Sequence, residues 1–462
     1  MAQRGLARVL GLGDLSILAS ASMAPAYSIA TTFGIMIAAA GAGAPLALLF
    51  LAIPVGFIAL AFHRLCAVRP DAGSTYAWSR IVFGRTAGAF SAWIVVLSYF
   101  FGAVAAVVPA GTYTLELLSN PQIHLLSPSL VDQPAAVAVA GGLWVIGASA
   151  LLIGGVKPTA NASGLFLWIE IGALLAFVGI AFAHPVAHGA APVTSLFTLG
   201  PLGLAGFASA TVSAIWVIDG WEVSSCTSEE GKGTTKDPGK GGIIGLIATT
   251  ALTLLCMVAF MRIGPLRAFS DHSSDTLAYI AGQLGGGVYT DIMIAVVLLS
   301  TGATLWTTQL GLSRIAFSMA RDRLFPRVLT DVHPQFGTPH ISIATINVGV
   351  LVVTLLTGFA PNVNAQWTYV LDTETFVLGL TFIITGLACA THFLRAGVPA
   401  TDLTRVVLPM IGVVTIVALL AVNFASLAPN VQWLAVGALA VGVVYAAAMR
   451  RRLVPLEQRP AA

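Results

Sequence analysis

Charged side chains are scarce in this sequence of 462 residues. They make up 9% of the chain, against about a quarter of an ordinary soluble domain. The hydrophobic fraction is 57%, and the mean hydropathy is +0.91. This composition predicts a polytopic membrane protein surrounded by a lipid bilayer, and it excludes a soluble protein with a single anchor.

Cysteine is rare as well. The four cysteines all lie in or beside apolar stretches: Cys66, Cys226, Cys256 and Cys389. Their spacing matches neither a disulfide framework nor a zinc site. We therefore expect them to pack as small apolar side chains.

Sequence signatures of catalysis are missing. The eight histidines show no HExxH or comparable pairing, and there is no nucleophile constellation or phosphate loop. Residues 1–14 lack a signal-peptide cleavage pattern, and the longest polar stretch runs only from Ser228 to Lys240. We expect no catalytic residue, metal site, cofactor, ATP-binding domain or nucleic-acid partner. The oligomeric state stays open.

Hydrophobic runs of about 20 residues, the length that crosses a bilayer as a helix, recur along the chain. They predict an all-α protein with twelve spans, at 14–40, 44–66, 86–118, 136–154, 160–183, 203–228, 241–263, 288–320, 339–359, 369–393, 403–425 and 431–449.

The Lys and Arg residues predict how these spans are oriented. With the N-terminus in the cytoplasm, all 22 of them except Arg262 and Arg267 fall on the cytoplasmic side. Cytoplasmic loops of membrane proteins carry an excess of positive charge, and an error of one span would scatter these charges. We therefore predict a protein of the cytoplasmic (plasma) membrane with both termini in the cytoplasm.

Two spans are interrupted by residues that do not suit a lipid-facing helix. The sixth span carries Asp219 and Glu222 around Gly220. Irregular backbone at bilayer depth persists only inside protein or along a cavity, and paired broken spans indicate the central site of a transporter. The first span is interrupted at Ser22, Met23, Ala24, Pro25, Ala26, Tyr27 and Ser28.

The positions of the two breaks, in spans one and six, fit two five-helix repeats of opposite topology. Repeat one covers about 14–183 and repeat two about 203–393. We predict that region 1–425 holds this ten-helix core with span eleven, and that region 426–462 holds span twelve and a cytoplasmic tail.

Several stretches resemble the amino acid–polyamine–organocation (APC) transporters. Residues 311–326, GLSRIAFSMARDRLFP, followed by His333-Pro334 and Thr338-Pro339, resemble their loop after span eight. Residues 72–78, AGSTYAW, resemble their element between spans two and three. Residues 218–222, IDGWE, resemble their broken sixth helix, and Gly155-Val156-Lys157 matches their start of span five. The resemblance implies a LeuT-type fold and carrier-mediated transport of an amino acid or related amine.

The first break departs from the pattern of these relatives. They commonly carry glycines there, where this chain has Met23-Ala-Pro-Ala-Tyr27. Proline opens a helix by removing a donor and by clashing with the previous turn. We therefore expect the break to be retained, and we expect the pocket beside it to differ in shape from the pocket of these relatives.

The chemistry of broken helices suggests how a ligand would bind. Unpaired N–H groups at the start of the next helical segment suit a carboxylate, and unwound carbonyls suit an ammonium group. Residues 22–28, together with Ile218, Asp219 and Gly220, are therefore the predicted substrate-binding residues. Asp219 has two candidate roles, to pair with a cationic amine or to hydrogen-bond the free backbone.

Further candidates depend partly on the resemblance. It implies that Trp216, one turn before Gly220, caps the substrate as a gate, although a packing role is the alternative. It also implies a structural or gating role for Glu222 and a pocket position for Tyr99. Thr304 and Thr308 share one helix face and are cavity candidates, whereas Thr301 and Thr307 are expected to bond to their own helix.

Glu170 falls where many relatives place a lysine that is thought to stand in for a sodium ion. Three roles fit a carboxylate there: a site for a coupling proton, a partner for a cation such as Na⁺, or a buried acid paired with a neighbour. The remaining acids, Glu116, Asp132, Asp372 and Glu374, are expected near span ends and water.

The leading hypothesis is a secondary transporter that works by alternating access and is driven by a proton or sodium gradient or by exchange. Alternatives are a polyamine or organocation exchanger and a nutrient sensor that binds without flux. A membrane-embedded enzyme would need a catalytic set that the sequence lacks.

Overall fold

The computed structural model describes residues 5–120, 123, 125–200, 202–273, 275–426 and 429–453. These residues form helices and no β-strand beyond two isolated bridges. The α-helices are α1 (Leu12–Met23), α2 (Pro25–Ala40), α3 (Ala44–Val68), α4 (Thr75–Phe83), α5 (Arg85–Ser119), α6 (Pro134–Ile153), α7 (Val156–Ala183), α8 (Gly203–Val217), α9 (Val223–Cys226), α10 (Asp237–Phe260), α11 (Leu266–Asp271), α12 (Thr276–Gly285), α13 (Gly287–Arg321), α14 (His340–Thr357), α15 (Val363–Arg395), α16 (Leu408–Ser426) and α17 (Pro429–Met449).

Within the described ranges, 10 helical segments are long and apolar enough to cross a membrane. The first of them, Leu12–Val68, contains α1, α2 and α3 and so covers two predicted spans. The apolar helix Gly203–Val217 is shorter and covers only part of predicted span six. The predicted all-α polytopic membrane protein is confirmed, while the number twelve stays a prediction.

The centre of the bundle is built on two long helices. α5 and α13 have 35 residues each, which gives about 50 Å of helix against a hydrocarbon core of about 30 Å. They pack against each other, and α5 also packs against α15 and α6, and α13 against α7 and α1. These helices form the frame on which the broken helices lie.

Three helices outside the predicted spans were not expected from the hydrophobic runs. α4 follows α3 directly, and α11 and α12 lie between α10 and α13. The loop that carries α11 and α12 covers α2, where the Gly34 N–H donates to Thr276 Oγ1 at 3.1 Å. Asp275 caps α12 by accepting from the Ala278 N–H at 3.1 Å. Burial raises the pKa of Asp275 to about 7, because desolvation disfavours the charged carboxylate.

One end of the bundle is joined by buried ion pairs. Arg314 on α13 pairs with Glu230, in the turn after α9, at 2.8 Å, and both side chains are fully buried. Arg321 on the same helix pairs with Glu229 at 2.5 Å. The neighbouring strand-like segment before α1 is attached as well, because the Leu10 N–H donates to the Glu230 carbonyl at 2.9 Å. The region after the second break is therefore tied to α13 at this end.

The contact of α5 with α6 requires glycine. A Cβ on Gly141 would lie 2.5 Å from the Val107 carbonyl oxygen, and one on Gly111 would lie 2.1 Å from the Val137 carbonyl oxygen. Small residues allow such close backbone approach between membrane helices. The two glycines therefore set the distance between α5 and α6.

We predict that Gly141→Ala lowers the melting temperature of the detergent-solubilised protein by several degrees. The added methyl group meets backbone, which cannot rotate away, and overpacking of this kind costs about 1–3 kcal/mol. Gly147→Ala on the same helix is the control, because its Cβ meets nothing within 4 Å. Equal melting temperatures for the two variants would show that α5 and α6 leave room for a methyl group at Gly141.

Candidate functional site

The first predicted break is present between α1 and α2. α1 ends at Met23, and Ala24 has φ 46° and ψ 69°, a left-handed conformation that is uncommon for a residue with a side chain. Pro25 begins α2, where its missing N–H costs no hydrogen bond. The Ser28 hydroxyl donates to the Met23 carbonyl at 2.9 Å. Local side chains and Pro25 thus stabilise the opened turn.

Glu170 on α7 provides a hydrogen-bond acceptor for a free backbone N–H group at the start of α2. Its Oε1 accepts from the Ala26 N–H at 2.6 Å and from the Ser300 hydroxyl at 2.6 Å. Ser300 in turn accepts from the Tyr27 N–H at 3.2 Å. In this conformation the N–H groups predicted to receive a substrate carboxylate are bonded to the protein's own acceptors, and their role in substrate binding stays a prediction. Glu170 thus has hydrogen-bonding neighbours at the break, and its candidate roles as a proton site or a cation site stay predictions.

The second break follows α8, which ends at Val217. Gly220 has φ +100°, which a side chain would disfavour, and its N–H donates to Glu222 Oε2 at 3.2 Å. A Cβ on Gly220 would lie 2.7 Å from Ser22 Oγ and 2.8 Å from the Ser22 carbonyl carbon. The two breaks therefore touch, and glycine is required at the contact.

α13 holds this contact from the side. The Thr304 hydroxyl donates to the Ser22 carbonyl at 2.5 Å, across 282 residues of sequence. Thr301 and Thr307 bond back to their own helix, to the carbonyls of Val297 and Ala303, as predicted. The Thr308 hydroxyl likewise donates to a carbonyl of its own helix, that of Thr304. Of these four threonines, Thr304 is therefore the one whose side chain bonds to the first break.

The breaks enclose a cavity of about 20 Å³. This volume holds about one water molecule, so an amino acid can bind only after the walls move apart. The cavity is lined by Ser22, Met23, Tyr27, Ser28, Gly102, Ala106, Trp216, Asp219, Gly220, Thr304 and Thr308.

Most predicted binding residues lie on this lining, and the others lie behind it. Ile218 is buried in the core, as are Ala24, Pro25 and Ala26. The Tyr99 hydroxyl lies 3.2 Å from Cys226 Sγ, and Tyr99 is not part of the lining. The lining residues Gly102 and Ala106 on α5 were missed, although their spacing of four residues is a small-residue signal that could have identified them.

Two aromatic rings meet at the cavity. Tyr27 on α2 and Trp216 on α8 have ring centroids 6.0 Å apart at an interplanar angle of 81°, an edge-to-face contact. Trp216 is 8% exposed. The ring of Trp216 thus links the two broken helices directly above the space they enclose.

Three carboxyl groups gather beside the cavity. Asp219 lines the cavity, Glu222 accepts from the neighbouring Gly220 N–H, and Glu374 Cγ lies 3.6 Å from the position of a Cβ on the lining residue Gly102. Glu222 is 3% exposed and Glu374, on α15, is 1% exposed. The expectation that Glu374 lies near a span end in water is therefore wrong, because the packing of α15 against α5 buries it beside Gly102. Asp132 is exposed between α5 and α6 as expected, Glu116 lies three residues before the end of α5, and the side chain of Asp372 lies outside the described residues.

Comparison with known sequences agrees with this arrangement. The profile of the amino acid permease family matches residues 10–446. The chain belongs to this family. The resemblance to APC transporters inferred from the span-eight and span-six motifs is thereby confirmed, and the family and its relatives point to a transporter of amino acids or amines.

The permease is similar to proteins that are named for different substrates. It is 27% identical over 350 residues to the branched-chain amino acid permease BcaP of Bacillus subtilis (strain 168), covering 74% of this chain and 73% of the relative. It is 23% identical over 381 residues to the low-affinity putrescine importer PlaP of Escherichia coli (strain K12), covering 77% of this chain and 78% of the relative. It is 28% identical over 328 residues to the vacuolar cationic amino acid transporter 2 of Arabidopsis thaliana, covering 68% of this chain and 49% of the relative.

We predict that Thr304→Val lowers uptake of the transported substrate while the protein stays folded. The change keeps the side-chain size but removes the hydrogen bond to the Ser22 carbonyl, a loss of about 1 kcal/mol or about fivefold in an equilibrium constant. Thr301→Val is the matched control, because Thr301 bonds only to its own helix turn. Similar uptake by both variants in proteoliposomes would mean that the bond to Ser22 does not matter for transport.

Proposed function

We propose that this permease moves an amino acid or a related amine across the cytoplasmic membrane by alternating access, with both termini in the cytoplasm. The observation that carries the proposal is the contact of the two broken helices, at Ser22 and Gly220, around a closed polar cavity. Broken helices that meet at a site inside the bundle are the arrangement that transporters use to bind substrate.

The closed cavity supports a carrier rather than an open pore. A site of about 20 Å³ must expand to admit substrate, and Thr304 and Trp216 link the parts that would separate. On the proposed cytoplasmic side, the pairs Arg314–Glu230 and Arg321–Glu229 hold the region after α9 against α13. Opening to the cytoplasm would require these pairs to part, and they therefore act as the inner gate.

The moving parts follow from the proposed domain organisation. Region 1–425 carries the two repeats, 14–183 and 203–393, together with span eleven, and region 426–462 carries the last span and tail. Spans one, two, six and seven, which include α1, α2, α3, α8, α9 and α10, would move against a scaffold built on α5 and α13. The packing of α1 on α10 and of α2 and α3 on α8 supports a common moving unit.

The lining supports a ligand that carries an ammonium group. Asp219 offers a carboxylate directly to the cavity, while Glu170 and Ser300 already occupy the first free N–H groups of α2. The relatives include a branched-chain amino acid permease and a putrescine importer, so both amino acids and amines are substrates to test. An exchanger of polyamines or other organic cations is the second candidate, favoured by the acids around Asp219.

Proteoliposomes provide the decisive experiment. We expect saturable uptake of at least one of radiolabelled leucine, arginine and 1,4-diaminobutane. Saturable binding of any of them without flux would instead assign a sensor role. Uptake that requires a loaded counter-substrate inside the vesicles would assign exchange.

We predict that Trp216→Ala keeps the permease folded and cuts uptake severely. The variant removes the ring that contacts Tyr27 and leaves the two broken helices without their aromatic link. Trp216→Phe retains a ring and should retain more of the uptake than Trp216→Ala. Unchanged kinetics in Trp216→Ala would reassign Trp216 to packing.

We also propose that the permease is proton-coupled and that Glu170 is the proton site. Glu170 bonds both to the first break and to Ser300 on α13, so a change in its charge alters the bonds that join the moving part to the scaffold. Its titratable neighbour on α10 is Cys256. A buried acid in a membrane helix without a cationic partner is a typical proton carrier.

We predict that uptake by the wild type rises as the outside is acidified, and that Glu170→Gln flattens this dependence. Glutamine retains size and hydrogen bonding to the Ala26 N–H but cannot titrate. A flux series over pH, with and without sodium, would test this in both proteins. Full pH dependence in the variant would exclude Glu170 as the proton site, and loss of a sodium requirement would assign it to a cation site instead.

A further inference from the structure

A second cavity, of about 740 Å³, lies against α6 and apart from the central site. We call it the α6 groove. It follows α6 from Ala135 to Leu151, and its floor is formed by the outer part of α5 and by Trp306 of α13. It shares no lining residue with the central cavity of about 20 Å³, and its volume is typical of small-molecule sites, which measure about 300–1,000 Å³. The α6 groove is therefore a separate candidate site.

The chemistry of the α6 groove suits an apolar ligand. Among the described residues, no charged side chain lines it, and its polar side-chain groups already have partners in the protein. The Trp144 Nε1–H donates to Thr114 Oγ1 at 2.9 Å, and the Thr114 hydroxyl donates to the Ala110 carbonyl at 2.6 Å. The Trp306 Nε1–H donates to Ser163 Oγ at 2.8 Å. A polar ligand would lose its hydration here without gaining hydrogen bonds in return.

The α6 groove opens toward the bilayer. Its lining residues Val139 and Leu143 are 58% and 66% exposed, and they belong to a helix that is long and apolar enough to cross a membrane. Gly147 lies on the same face, one turn beyond Leu143, and a Cβ on Gly147 would meet nothing within 4 Å. The groove is therefore continuous with the surface that this membrane protein presents to lipid.

The dimensions of the groove decide between possible occupants. Ala135 and Leu151 lie about 24 Å apart along α6, at 1.5 Å per residue. The volume of about 740 Å³ divided by this length gives a mean cross-section of about 31 Å². An α-helix with its side chains is 10–12 Å wide and needs about 80–110 Å², so a helix of a second copy cannot enter. An extended hydrocarbon chain, which is one methylene group wide, can.

We propose that the α6 groove binds one acyl chain of a membrane phospholipid, which enters sideways from the bilayer. The chain lies along Val139, Leu143 and Gly147 and covers the ring of Trp144. Burial of its methylene groups against the apolar lining stabilises the complex. This site does not depend on which substrate the permease transports.

The bound chain braces α13 on the side away from the breaks. The Trp144 ring lies against α13, because a Cβ on Gly302 would lie 2.7 Å from Trp144 Cζ3. Thr304, which donates to the Ser22 carbonyl, is two residues from both Gly302 and Trp306 and so about 200° from them around the helix. The lipid therefore supports the frame that holds the first break without touching the central cavity.

The test uses a phosphatidylcholine that carries a photoreactive diazirine in its acyl chain. The full-length permease is reconstituted in vesicles that contain this lipid and irradiated, and the labelled residues are located by mass spectrometry. We expect label on Leu143 and Trp144 at about ten times the level on Ile247. Ile247 on α10 is the internal reference, because it is 64% exposed and lies outside the α6 groove.

Two leucine variants separate the groove from the general lipid surface. Gly147→Leu fills the groove with a side chain and should lower the labelling of Trp144 about tenfold. It should also abolish the rise in melting temperature that added phosphatidylcholine gives the wild type in detergent, since a ligand that binds only the folded state raises its stability. Gly179→Leu on α7 is the matched control and should keep both effects, because Gly179 is exposed, has nothing within 4 Å of its Cβ position and lies outside the groove.

Three results would overturn the inference. Equal labelling of Trp144 and Ile247 in the wild type would mean that lipid only surrounds α6. An equal loss of labelling in Gly147→Leu and Gly179→Leu would mean that the groove does not select the chain. A change from dimer to monomer in Gly147→Leu, measured by light scattering, would assign the groove to a second copy of the permease. If Gly147→Leu fails to fold, the labelling pattern of the wild type decides the proposal by itself.

Discussion

A helix can be interrupted at bilayer depth only if its freed backbone groups find partners inside the protein. In this permease the interruption between α1 and α2 is satisfied by side chains from two distant helices. Glu170 and Ser300 accept from the start of α2, and Thr304 donates to the end of α1. The close contact of Gly220 with Ser22 is possible because these bonds hold the opened turn in place. The cavity is the space that this arrangement leaves.

The buried acids of the bundle are satisfied in two different ways. Arginines at one end bond to acids and join α13 to the turn after α9. Near the cavity, by contrast, Glu170 and Glu222 accept from backbone N–H groups, and Glu170 also accepts from the Ser300 hydroxyl. Breaking a buried ion pair at the end costs stability because a charge is left unpaired.

Features that depend on local chemistry could be predicted from the sequence. Pro25 and the Asp219-Gly220 pair marked the breaks, and the hydrophobic runs marked the spanning helices, because proline, glycine and apolar length act within a few residues. Features that depend on packing between residues far apart in the sequence could not be predicted. The position of Glu374 beside Gly102 requires α15 to lie on α5, and the partners of Glu170 come from residues more than 100 positions away. The short helices α11 and α12 were missed because no membrane-length apolar run marks them, and an element at α4 was indicated only by the resemblance of residues 72–78.

The small volume between the breaks has a consequence for the membrane itself. With room for about one water molecule, the closed state cannot hold a continuous file of water from one side to the other. Ions that travel along water files are therefore stopped at this layer, and the bilayer keeps its electrical insulation. A carrier that draws on an ion gradient depends on that insulation, because any leak through its own centre would discharge the energy store it uses.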